Sequence, residues 1–129
     1  MIDHTGINVS DLALSKQFYE LALAPLGYCV RLEFEGAAGY GTKDAASGDD
    51  PGGDFWISEG EPFVPRSHIA FHASSRVQVI AFYDAALAVG GRDNGAPGLR
   101  PHYHKNYFAA FVLDPDGYNI EAVFHGACC

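Results

Sequence analysis

The chain has 129 residues, and eight basic against sixteen acidic side chains leave a formal charge of −8. That balance repels phosphate backbones and anionic lipid surfaces, so neither nucleic acid nor a membrane is an expected partner. An apolar fraction of 48% is enough for the core of one globular domain spanning 1–129.

No apolar run approaches the roughly 18 residues of a spanning helix. Met1-Ile2-Asp3-His4 also lacks the basic-then-apolar pattern of a leader. The cytoplasm is therefore the expected location. Cys29, Cys128 and Cys129 are odd in number and lack metal-ligand spacing, and they read as incidental.

From Ile2 to Val9 the chain alternates, with His4, Gly6 and Asn8 on one face and Thr5, Ile7 and Val9 on the other, as in a half-buried strand. Ser10 is the expected N-cap of an amphipathic helix over about 12–24, where Leu14, Phe18 and Leu21 recur at helical spacing before Pro25 and Gly27. Strands are expected over 28–36, 37–43 and 54–58, with a Gly/Asp/Ser-rich loop at 44–53. Together these make a βαβββ unit over 1–58.

Pro62 and Pro65 mark 59–66 as a linker, after which the pattern returns. At an offset of 64, His4 matches His68, Ser10 matches Ser74, Phe18-Tyr19 matches Phe82-Tyr83, and Gly27 matches Gly91. A partial internal copy of this length implies two related halves, not a solenoid. The second unit, 67–125, is expected to hold a strand carrying His68, Ala70 and His72 on one face. Ser74 or Ser75 then caps a helix to about 89, and strands follow near 91–94, 107–113 and 118–125.

Asp114-Pro115-Asp116-Gly117 has the composition of a type I turn with a glycine bulge. In that register Asp114 pairs with Tyr118, Phe111 lies opposite Glu121, and Tyr107 lies opposite His125. Glu121 then shares a face with Tyr107, Ala109 and Phe111.

An ionised Glu121 within Ile120-Glu121-Ala122-Val123-Phe124 must face water or find a partner. With His4 and His68 it makes a two-histidine, one-carboxylate set, suited to Fe, Mn, Zn or Ni with positions left open. Taken singly, His4 reads as an ordinary strand histidine, and its recurrence as His68 reverses that preference. His72 reads as a neighbour of the site or a solvated group. His102-Tyr103-His104 and Arg100 fall in a Gly/Pro-rich stretch, 94–106, read as a loop. Arg100 either binds a substrate carboxylate or sits in solvent; Tyr107 either donates a hydrogen bond or packs.

His4-Thr5-Gly6-Ile7-Asn8-Val9-Ser10-Asp11, Phe18-Tyr19 and Asp114-Pro115-Asp116-Gly117-Tyr118-Asn119-Ile120-Glu121 resemble the vicinal oxygen chelate superfamily of glyoxalase I, bleomycin-resistance proteins, fosfomycin-resistance enzymes and extradiol dioxygenases. The resemblance spans essentially the whole chain. It implies an α+β fold in which two βαβββ modules form a curled mixed-sheet cup with flanking helices around one divalent metal ion.

By position, the resemblance makes His4, His68 and Glu121 the metal ligands. Trp56 stands where glyoxalase I has a glutamate, and an indole cannot ligate, which argues against a typical glyoxalase I. The implied activity is metal-dependent lyase, isomerase, thiol-transfer or dioxygenase chemistry on a small molecule with vicinal oxygens. Glu121 and His102 would serve catalysis, and Trp56, Arg100, Tyr107 and Phe111 would contact substrate. The implied assembly is a homodimer, and many one-chain members of the superfamily build each cup from modules of two subunits; whether the cup forms within one chain or between two is left open. The rival expectation is a metal-free small-molecule binding protein like the bleomycin-resistance members.

Overall fold

The computed structural model describes residues 1–44, 48 and 50–127. Part of the expected 44–53 loop and the terminal Cys128 and Cys129 lie outside them. Two βαβββ units follow one another along the chain. The first comprises β1 (Thr5–Val9), α1 (Leu12–Leu23) with a 3₁₀ turn at Ala24–Leu26, β2 (Tyr28–Phe34), β3 (Ala37–Thr42) and β4 (Phe55–Glu59). The second comprises β5 (His68–His72), α2 (Arg76–Ala88), β6 (Arg92–Leu99), β7 (Phe108–Leu113) and β8 (Asn119–Phe124).

Each unit forms a four-stranded mixed sheet, in the orders β1-β4-β3-β2 and β5-β8-β7-β6. The duplication extends to the register. Gly6 pairs with Trp56 across parallel β1 and β4, and Ala70 pairs with Glu121 across parallel β5 and β8.

Two expectations need correction. The cap of α1 is Asp11, whose carboxylate accepts from the Leu14 amide at 3.1 Å. Ser10 is drawn away because both its amide and its hydroxyl donate to Asp116 in the distant turn. In the second unit Ser75, the counterpart of Asp11, caps α2 by accepting from the Gln78 amide at 3.1 Å. The other correction concerns β6, which continues to Leu99 through residues read as loop. Its register with β7 slips around Gly95 and Gly98, and Gly95 takes a φ of 149°. An edge strand tolerates such bulges and the missing amide of Pro97.

The helices explain how the halves join. Phe18, Tyr19, Ala22 and Leu23 of α1 and Val79, Phe82 and Ala86 of α2 are buried together with Ile7, Val9 and Ile57 of the first sheet and Ala110, Val112, Ile120 and Ala122 of the second. One core thus receives the apolar face of each sheet. Phe55 and Phe71, from different sheets, meet edge-to-face at 5.2 Å. Near the Asp114–Gly117 turn, the Tyr118 hydroxyl donates to the Asn8 carbonyl at 2.6 Å and accepts from the Phe63 amide at 2.9 Å. Tyr19, buried in the same core, donates to Asp114.

The opposite faces of the sheets carry Trp56, His68, Phe111 and Glu121, whereas His4 precedes β1 and Arg100, His102 and Tyr107 lie between β6 and β7. Among the described residues no strand pairing joins the two sheets, so β1 and β5 are edge strands and the cup is not closed within one chain.

Candidate functional site

The turn that joins β7 to β8 sets the position of Glu121. Gly117 takes a φ of 88°, the Asp114 amide donates to the Tyr118 carbonyl at 3.0 Å, and Phe111 falls opposite Glu121. Ile120 and Ala122 then enter the core, and Glu121 faces the other way. It is nevertheless only 2% exposed.

A buried carboxylate without partners would cost several kcal/mol. Glu121 has two: Oε1 lies 2.9 Å from His68 Nε2, and Oε2 accepts from the Tyr107 hydroxyl. Burial, followed by the hydrogen bond to Glu121, pushes the Tyr107 pKa upward, so the phenol remains a donor.

His68 is oriented from behind. Its Nδ1 lies 2.9 Å from the Asn119 carbonyl, which can only accept, so Nδ1 carries a proton and Nε2 is turned toward Glu121. A ring nitrogen tied to a carbonyl while the other faces a carboxylate is the arrangement that prepares a histidine to ligate a metal. The observed 2.9 Å separation also suits the pair, since two ligands each about 2.1 Å from an ion at right angles lie about 3.0 Å apart. The donor set therefore fits a divalent cation. Phe111 stacks on the His68 ring at 6.2 Å and 28°.

His4 lies elsewhere in a single chain. Its Nδ1 is 2.6 Å from Asp3 Oδ1, and that hydrogen bond raises its pKa, with Asp50 adding a smaller effect. Asp3, His4 and Asp50 are, among the described residues, the group of three metal-capable side chains whose ligand atoms all lie within 4.8 Å. A single chain thus brings His68, Glu121, Tyr107 and Phe111 together, and His4 is not among them.

Trp56, on the open face of the first sheet, lies across glycines. A Cβ on Gly39 would sit 2.7 Å from the indole, and one on Gly52 would collide with it. Phe34, 64% exposed, stacks parallel to the indole at 5.9 Å. Arg100 braces the irregular strand β6, donating to the carbonyls of Gly98 at 2.9 Å and Ala96 at 2.8 Å, with its guanidinium 5.3 Å from the Phe111 ring centre. His102 is exposed, with its ring 4.3 Å from Tyr103.

Two participants were missed from the sequence. His125 is linked to His104, Nδ1 to Nε2 at 2.9 Å, and its ring lies 5.2 Å from Tyr107. The turn register already put His125 opposite Tyr107, so the signal was present. Asp3 gave no such sign, because its contact with His4 joins sequence neighbours and follows no periodicity.

This fold matches known proteins. Residues 1–122 match the family model of the Glyoxalase/Bleomycin resistance protein/Dioxygenase superfamily, and the chain belongs to that superfamily. Among solved structures it is similar to a glyoxalase/bleomycin resistance protein from Albidiferax ferrireducens T118, with 29% identity, a TM-score of 0.77, and coverage of 96% of this chain and 98% of that one. A glyoxalase/bleomycin resistance protein/dioxygenase family enzyme from Burkholderia phytofirmans PsJN shares the fold at 14% identity and TM-score 0.68, covering 97% and 98% of the two chains. The E144Q glyoxalase I mutant from Zea mays does so at 20% identity and TM-score 0.66, covering 95% of this chain and 46% of the maize chain.

No curated protein matches. Members of the superfamily act on small molecules, often bind a divalent metal and often form dimers. No helix among the described residues is long and apolar enough to cross a membrane.

Proposed function

We propose that the protein is a divalent-metal-dependent enzyme acting on a small molecule that offers two adjacent oxygens. The observation that carries this reading is the nearly complete burial of Glu121 beside a histidine whose Nε2 is turned toward it. His68 and Glu121 would hold the cation from one subunit of a cytoplasmic homodimer, and His4 would reach it from the other. The shared core inside each chain supports this division, because it leaves both ligand-bearing faces on the outside.

A bound cation would act as a Lewis acid, polarising the substrate's oxygens and stabilising charge that develops on them. The chain's own groups bind and orient. Phe111 and Trp56 offer apolar ring surface to substrate, Tyr107 holds Glu121, and Arg100 keeps the rim of β6 in place. His102, exposed near that rim, is available to carry a proton at its ring nitrogen. Trp56, in place of a fourth carboxylate, favours chemistry other than that of a typical glyoxalase I.

A metal-free binding protein is favoured by a different observation: both Glu121 oxygens already have partners in the chain. Elemental analysis of tag-free protein purified without chelator separates the two readings. The enzyme reading expects one transition metal per chain in the parent and none in Glu121→Gln. A parent that takes up no stoichiometric metal after reconstitution rejects it.

A further inference from the structure

The Glu121 carboxylate is divided between two neighbours. Oε1 faces His68 Nε2, the position read above as the metal edge, and Oε2 accepts from Tyr107. The Tyr107 ring is held by other groups. His104 meets it edge-on at 5.4 Å and 73°, His125 at 5.2 Å and 79°, and Tyr103 lies at 4.8 Å. The two imidazoles are themselves fixed. The Asn106 amide donates to His104 Nδ1 at 3.2 Å, so a neutral His104 carries its proton on Nε2 and donates it to His125 Nδ1. A phenol ring clamped in this way aims its hydroxyl at one carboxylate oxygen independently of what happens at the other.

We propose that Tyr107 is a positioning residue that restricts Glu121 to one coordinating oxygen, and so determines how many positions on the bound cation stay open to substrate. The inference rests on the metal-site reading above. A carboxylate free at both oxygens can close on a cation through both, whereas one whose second oxygen is engaged by a donor coordinates through the first. The vacated position is what a substrate binding through two oxygens needs beside a further small ligand.

The test uses Mn(II) as the probe on the full chain. Titration gives stoichiometry and affinity, and water-proton relaxation counts the waters on the bound ion. Tyr107→Phe keeps the ring contacts and loses only the hydroxyl; Tyr107→Leu loses both. Both variants are expected to bind Mn(II) at parental stoichiometry with relaxation enhancement lower by roughly a third, as one of about three open positions is taken by the second Glu121 oxygen. A purely structural role for Tyr107 would not change the number of bound waters. Unchanged enhancement at full stoichiometry in Tyr107→Phe overturns the inference and leaves the metal site standing. A parent chain that binds no Mn(II), or a Glu121→Gln variant that binds it as the parent does, overturns the site reading and this inference with it.

Discussion

The two halves share a backbone and differ on one face. In both sheets the parallel edge pair has the same register, so Trp56 occupies in the first sheet the place that Glu121 occupies in the second. The second half uses that place for a buried carboxylate held by His68 and Tyr107. The first half uses it for an indole laid over Gly39 and Gly52. Helix caps, core aromatics and strand order stayed alike because they build the shared interior. The open faces were free to diverge, and at this matched position one carries a buried carboxylate and the other an aromatic ring.

The largest expected effects test whether the interior is really shared. Phe18 and Phe82 are equivalent, and both are fully buried in one core. Phe18→Ala and Phe82→Ala should each cost about 3–5 kcal/mol of stability, in a single two-state transition by denaturant. Two separated transitions, or one variant costing far less than the other, would break the equivalence. Next comes the open face, where the halves should behave oppositely. Glu121→Gln should weaken divalent metal binding on the order of 100-fold or more, while Trp56→Phe should leave it within a few-fold. Metal binding measured by competition with a chelating dye decides this, and equal losses would contradict the contrast between the halves.

Smaller effects belong to the helix caps. Asp11→Ala and Ser75→Ala should each cost about 0.5–2 kcal/mol, and Ser10→Ala should destabilise through its lost bonds to the Asp116 turn without lowering α1 helicity. The smallest effect is a pH dependence that rests on Asp114, in the turn of the second half. Burial raises the Asp114 pKa above 3.8, and hydrogen bonds from Tyr19 and the backbone only partly oppose it. A raised carboxyl pKa favours the protonated folded form. Its contribution is therefore complete below 3.8 and is lost as pH rises through the folded value. Stability of the parent relative to Asp114→Asn should fall over that interval, and a difference that grows with pH would contradict the assignment.

Much of this was legible in the sequence because the deciding chemistry is local. The Asp114–Gly117 turn alone set the register that places Tyr107, Phe111 and Glu121 on one face, and the offset of 64 paired His4 with His68. What was not legible depends on packing between distant elements. Asp116 captures Ser10 from 106 positions away, which left Asp11 as the cap. The hydrogen bonds of Arg100 to the Gly98 and Ala96 carbonyls depend on the bulges of an edge strand that a Gly/Pro-rich stretch does not announce. The grouping of His4 with Asp3 and Asp50, apart from His68 and Glu121, depends on how the chain ends pack, and no motif encodes that.

In the proposed site the open faces of two subunits would complete one metal centre. Co-expression of His4→Ala with Glu121→Gln tests it most directly, because in a symmetric dimer each heterodimer contains one site with all three ligands intact. Neither variant alone should hold metal, and random assortment of the pair should restore about a quarter of the parental content. Co-expressed chains that stay as metal-free as either variant alone would contradict a site shared between subunits.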